Sequence, residues 1–114
     1  MLFVLIALLA VLTAPGPESA PTMTEINRWA EPTRAILTAR CGSCHLPTPE
    51  KSVPRALAVF DLSQERWYGR LTRGQLDSLA RRIRSNPDVA DSDRAIVESF
   101  VRCARDRDCP GVDR

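Results

Sequence analysis

The five consecutive residues 41–45 read C-G-S-C-H, and their types and spacing are those of a c-type haem attachment motif. In such a motif each of the two thiols can add to one vinyl group of the porphyrin, and the histidine then lies under the iron as an axial ligand. His45 is the only histidine in the chain. We therefore expect one haem c per chain, held covalently by Cys41 and Cys44, with His45 as the proximal iron ligand.

Two other interpretations start from a bare C-x-x-C pair. A structural zinc site would need Cys103 and Cys109 as its second half, but five residues separate them, more than the two to four that are usual for zinc. A thioredoxin-like redox disulfide would need a βαβ pattern around the motif, and the sequence predicts none. The sequence therefore favours haem over zinc and over a redox disulfide.

Residues 1–20 have the features of an export signal. The apolar run from Leu2 to Leu12 ends at a Pro- and Gly-rich stretch, and it is shorter than the ~17–25 residues that a membrane-spanning helix needs. No basic residue precedes the run, and proline follows each small residue that could end a cleavage site. We expect a signal peptide or, if it is uncleaved, an N-terminal anchor. Haem attachment and lasting disulfides both suit the periplasm or another extracytoplasmic compartment.

Residues 21–114 suffice for one small domain. The formal net charge of the whole chain is only +2, and basic and acidic residues are interspersed. We therefore expect no nucleic-acid partner, and membrane association only through an uncleaved N-terminal segment. No nucleophile–base pair and no carboxylate dyad stands out, so the sequence does not predict an enzyme.

The apolar pattern before the motif predicts helices. Thr22 and Glu25 have the spacing of a capping box, which should open a short turn. Pro32 suits the first position of a new helix that runs to about Arg40. This second helix should lead the chain directly into Cys41.

The pattern after the motif also predicts helices and no convincing strand. The segment 46–54 contains three prolines and should be a loop, and the segment 56–62 could be helical or extended. Ser63 could cap a short helix that carries Trp67 and Tyr68.

Two longer amphipathic helices should complete the domain. Thr72 begins a second capping-box match, and its helix should end at Asn86-Pro87. Asp91 or Ser92 could cap a last helix with an apolar face.

This order of elements resembles the class I cytochrome c fold. The resemblance implies an all-α fold, a small helical domain wrapped around one covalently bound haem, with its first and last helices packed on each other. It also implies single-electron transfer with a redox partner protein that the sequence does not identify. In this family a proline carbonyl accepts a hydrogen bond from the second ring nitrogen of the proximal histidine, which orients it. Pro54 or Pro47 could fill that role.

The sequence departs from this family at the sixth iron ligand. Class I cytochromes carry a methionine on the loop before the last helix, but residues 84–91 include no methionine and no histidine. Met23 could fold over the distal face, or it could be a residue of the capping turn that only fills space. Lys51 should stay on the proximal side, and Asn86 would be a weak ligand.

An open or water-bound iron, or a ligand from another subunit, are the remaining possibilities for the sixth position. An open iron would favour a haem domain that binds or senses small molecules, whereas a closed iron favours electron transfer. A third hypothesis, a haem-free export domain stapled by disulfides, rests only on the even number of four cysteines.

Two further groups have a structural and a functional interpretation. Cys103 and Cys109 should form a structural disulfide that pins the C-terminal tail to the last helix, with redox sensing as the other interpretation. Phe60, Trp67 and Tyr68 should be core or haem-pocket residues, and the indole N–H of Trp67 could donate to a haem propionate.

Overall fold

Four helices make up the regular structure of residues 21–111, the part of the chain that the computed structural model describes. They are α1 (Met23–His45), α2 (Pro54–Val59), α3 (Arg73–Ser85) and α4 (Asp91–Asp106). Within residues 21–111 there is no strand. The prediction of an all-α fold is confirmed for these residues, whereas the predicted export segment, residues 1–20, lies outside them. None of the four helices is long and apolar enough to cross a membrane.

Helix α1 begins at the predicted capping box but does not break at Pro32. The Thr22 hydroxyl accepts from the backbone N–H of Glu25, and the Glu25 carboxylate accepts from the backbone N–H of Thr22. The prediction of a short turn followed by a second helix that ends near Arg40 is wrong, because α1 is continuous to His45. A proline inside a helix removes one hydrogen bond and typically costs about 3 kcal/mol.

Burial on both sides of Pro32 explains why α1 continues through it. Ala30, Thr33 and Leu37 follow one another at helical spacing, and all three are fully buried. This face packs against α4. The burial of a single continuous face offsets the hydrogen bond that Pro32 cannot donate.

The chain between the motif and α3 forms α2 and a series of turns. Pro54 is the first residue of α2, where its missing N–H costs no helical hydrogen bond. Phe60 is extended, and turns and a bend follow over residues 62–70. The predicted short helix after Ser63 is wrong. The Ser63 hydroxyl and backbone N–H both donate to the Asp61 carboxylate. The Ser63 side chain therefore bonds to a residue that precedes it and does not cap a helix.

Helices α3 and α4 follow the predicted pattern with one correction. The Thr72 capping box at α3 is confirmed, and the helix ends at Asn86 as expected. The N-cap of α4 is Ala90, not Asp91 or Ser92 as predicted. Asp91 is already helical, and its carboxylate pairs with Arg94 one turn later. The positive end of the helix dipole still stabilises the acidic side chains in this first turn.

Helix α4 forms the centre of the core. It packs on α1 on one side and on α3 on the other, so the first and last helices are in contact, as the resemblance implies. Phe100 of α4 is fully buried, and its ring lies against the rings of Trp67 and Tyr68. The turns over residues 62–70 therefore dock on the same core as the helices.

Candidate functional site

The C-x-x-C-H motif is the last turn of α1. Cys41 and Cys44 are three positions apart in the helix and His45 is four positions from Cys41, so the three side chains share one side of this turn. Cys41 is half-buried, Cys44 is exposed, and both are free thiols. The turn thus presents two available thiols and one imidazole close together near the surface.

The backbone after α2 orients the imidazole of His45. Its Nδ1 lies 3.0 Å from the carbonyl oxygen of Phe60. A carbonyl can only accept, so Nδ1 donates and carries the proton, and in the neutral ring Nε2 then has a free lone pair. The His45 carbonyl also accepts from the N–H of Leu62 at 2.8 Å. These two bonds hold both the ring and the backbone of His45 against the segment after α2.

The expectation that Pro47 or Pro54 supplies this carbonyl is wrong. Pro54 begins α2, and the chain returns past His45 only after that helix has ended at Val59. Phe60 is the next residue, and its extended backbone leaves its carbonyl available for His45. Sequence reasoning missed the role of the Phe60 carbonyl, because nothing local in the sequence indicates which residue after α2 reaches His45.

One aromatic ring packs directly on His45, and a second ring packs on the first. The Phe60 ring stacks on the imidazole with 3.8 Å between ring centroids and 11° between planes. The Trp67 ring meets Phe60 edge-on at 5.7 Å. Trp67 is 2% exposed, and its indole Nε1 has no hydrogen-bond partner among the described residues. An unpaired buried donor is costly, so an acceptor such as a carboxylate of a bound group suits this position.

A crevice of about 430 Å³ borders this aromatic group. Phe60, Trp67, Arg66 and Arg70 are among the residues that line it, but no residue of the motif does. The crevice therefore lies beside the motif, and its lining residue Phe60 also stacks on His45.

Burial sets the acidity of one thiol. Desolvation raises the pKa of Cys41, the positive charge of Arg82 opposes this rise, and the neighbouring Cys44 adds to it. A raised pKa keeps the thiol protonated near neutral pH. Arg40, the residue before Cys41, donates to the carbonyl of Asp88 at 2.7 Å. This hydrogen bond ties the end of α1 to the loop before α4.

The structure places one distal-ligand candidate, Met23, far from the motif and shows the local contacts of two others. Met23 begins the 23-residue α1 and His45 ends it, so ~1.5 Å per residue puts them about 33 Å apart. This distance argues against Met23 as the distal ligand of a haem on the same chain, and the identity of the sixth ligand stays a prediction. Lys51 is exposed in a small turn with Thr48. The side-chain oxygen of Asn86 already accepts from the backbone of Asp88.

The second cysteine pair forms a separate feature at the other end of the domain. The sulfur atoms of Cys103 and Cys109 lie at disulfide-bonding distance. A zinc site built on the motif would need these two residues, and they are paired with each other instead. Within residues 21–111 no group of three or more His, Cys, Asp or Glu side chains could hold a metal ion.

Comparisons with protein-family models, with curated proteins and with solved structures give no match. The functional proposal therefore rests on the motif and on the contacts of its residues.

Proposed function

We propose that the protein is an exported c-type cytochrome domain that binds one covalent haem and transfers single electrons. The observation that carries the proposal is the arrangement of the last turn of α1. Two free thiols lie within about one helical turn of the His45 imidazole. The Nδ1 atom of this ring is held by a carbonyl, which leaves Nε2 as the available nitrogen. Imidazole bound through one nitrogen and fixed through the other is the usual arrangement for a metal-ligating histidine.

Haem, when bound, supplies a one-electron iron couple. In this proposal Cys41 and Cys44 form the two thioether links and His45 is the proximal ligand. The hydrogen bond from His45 to the Phe60 carbonyl orients the imidazole and increases its basicity. Because Cys44 is exposed, the attached edge of the haem would lie at the surface, where a redox partner protein can approach.

A second candidate function is small-ligand binding or sensing by a haem with an open distal side. The position of Met23 favours it, because α1 holds this methionine about 33 Å from His45 at ~1.5 Å per residue. The chain has no other histidine, and its only other methionine is Met1. An open sixth position would let carbon monoxide or another small molecule bind the ferrous iron.

Haem staining tests the proposal directly. The full chain is made in a host with haem-maturation machinery and run on a denaturing gel, where the parent protein should stain. Cys41→Ala and Cys44→Ala should lose or weaken the stain, because each thiol supplies one link. The double variant Cys103→Ser/Cys109→Ser is the matched control and should stain like the parent.

The absorption spectrum separates the candidate functions. A low-spin, six-coordinate spectrum that resists carbon monoxide supports electron transfer. A high-spin, five-coordinate spectrum with ready binding of carbon monoxide supports the ligand-binding function. A parent protein that carries no haem in the competent host overturns both and leaves the haem-free, disulfide-stapled domain.

A further inference from the structure

We propose that the side chain of Phe60 is a positioning residue that fixes the plane of the His45 imidazole. This inference rests on the proposed function and deepens it, because it assigns a role at the haem site to a residue outside the motif. The role belongs to the aromatic ring, and it is distinct from the hydrogen bond that the Phe60 backbone carbonyl accepts.

One hydrogen bond leaves an imidazole free to swing. The torsion between Cβ and the ring of histidine is broad, and a carbonyl tolerates a wide range of donor directions. The bond from Nδ1 to Phe60 therefore decides which nitrogen faces outward but sets the ring plane only loosely. A second ring stacked at 3.8 Å and within 11° of parallel blocks rotation on one face of His45.

Phe60 is itself held firmly enough to serve as a support. It is 8% exposed, and its ring meets the edge of Trp67 at 5.7 Å. Trp67 in turn lies 5.0 Å from the ring of Phe100 in α4. Successive ring contacts through Phe60 and Trp67 thus connect the His45 imidazole to α4.

If His45 holds a haem iron, the orientation of its imidazole would be one of the properties by which the protein tunes that iron. Groups that orient a metal-ligating histidine tune the metal and its ligand. The Phe60 ring is placed to do this without touching the iron.

The first test uses the full chain made without haem-maturation machinery. His45 is the only histidine, so its ring protons are unambiguous in an NMR spectrum. Stacking on Phe60 should shift them upfield. Phe60→Leu, which keeps the backbone carbonyl and much of the apolar volume, should abolish this shift, and Phe60→Tyr should retain it.

The second test uses the haem-loaded ferric protein. The spread of the four haem-methyl NMR shifts reports the plane of the axial imidazole. It should change in Phe60→Leu and return in Phe60→Tyr. Trp29→Leu is the matched control, because it removes a partly buried ring near the N-terminal end of α1, far from His45, and should leave the pattern close to that of the parent.

The outcomes separate this inference from the proposed function. Upfield His45 protons in the parent, lost in Phe60→Leu alone, support the role of Phe60. Unshifted His45 protons in the parent overturn it, and so do equal changes in Phe60→Leu and Trp29→Leu. If the haem-free chain does not fold, the haem-methyl pattern decides. A parent protein without haem stain overturns the proposed function, whereas a stained parent whose haem-methyl pattern ignores Phe60→Leu overturns only the positioning role.

Discussion

The two ends of α1 are held in different ways. At the N-terminal end, Trp29 donates from its indole Nε1 to the carbonyl of Pro110 at 3.0 Å. The paired Cys103 and Cys109 hold that C-terminal tail close to α4, and both cysteines are buried. Contacts between residues far apart in the sequence hold this end, and the motif lies at the opposite end of α1.

The C-terminal end of α1 keeps its reactive groups available. Cys41 and Cys44 are free, and Cys44 is exposed. The contacts that hold this end are the bonds of His45 with the segment at Phe60 and the bond from Arg40 to the loop before α4. One helix therefore has an N-terminal end that contributes to stability, the stabilising end, and a C-terminal end that carries the thiols and the imidazole, the chemical end. Changes at the first should alter stability, and changes at the second should alter reactivity.

Removal of the core beneath both ends should have the largest effect. Phe100 is fully buried and contacts the rings of Trp67 and Tyr68. Phe100→Ala should lower the free energy of unfolding by about 3–5 kcal/mol, a large part of the ~5–15 kcal/mol typical of a domain. Urea denaturation of the haem-loaded chain measures this. A loss below about 1 kcal/mol would show that α4 does not carry the core.

The disulfide should come next and should act on the N-terminal end alone. Cys103→Ser/Cys109→Ser should lower the free energy of unfolding by about 2–3 kcal/mol, from the chain entropy of so short a loop. Trp29 fluorescence should change as the tail loosens, while the haem spectrum should stay that of the parent. Peptide mass spectrometry without reduction should find Cys103 linked to Cys109. A link from either of them to Cys41 or Cys44 would contradict the separation of the two ends.

The capping box of α1 offers a smaller test of its N-terminal end. Thr22→Ala removes the hydroxyl that accepts from the N–H of Glu25, and it should cost about 1 kcal/mol. Thr22→Ser keeps the hydroxyl and is the matched control, with a loss of a few tenths of a kcal/mol at most. Thermal unfolding measures both variants. Equal losses in the two would mean that the hydroxyl bond does not stabilise the helix.

Features that depend on residues close together in the sequence could be predicted, and features that depend on tertiary contacts could not. Both capping boxes were predictable, since each depends on residues three positions apart. The motif residues were found for the same reason. The passage of α1 through Pro32 was not, because it depends on burial against α4, which only the folded chain provides. The Phe60 carbonyl was missed likewise, since it reaches His45 only after α2 has turned the chain back.

The smallest expected effect distinguishes the two thiols within the chemical end. In the haem-free chain Cys44 should react with iodoacetamide faster than Cys41, since Cys44 is exposed and Cys41 is half-buried. The reactive species is the thiolate. Burial raises the pKa of Cys41, so at any pH below that pKa it holds a smaller thiolate fraction than an ordinary thiol, and its rate should rise as the pH increases.

The influence of one positive charge of α3 on the pKa of Cys41 can also be tested. Arg82 lowers the pKa of Cys41 against the effect of burial, so Arg82→Gln should raise that pKa further and slow the alkylation of Cys41 while Cys44 reacts as before. Arg81→Gln removes an adjacent exposed charge and is the matched control, with an expected rate close to that of the parent. Peptide mass spectrometry over a time course measures both thiols in one sample. If Arg82→Gln and Arg81→Gln slow Cys41 equally, then only the general surface charge matters, and the specific effect of Arg82 on Cys41 is wrong.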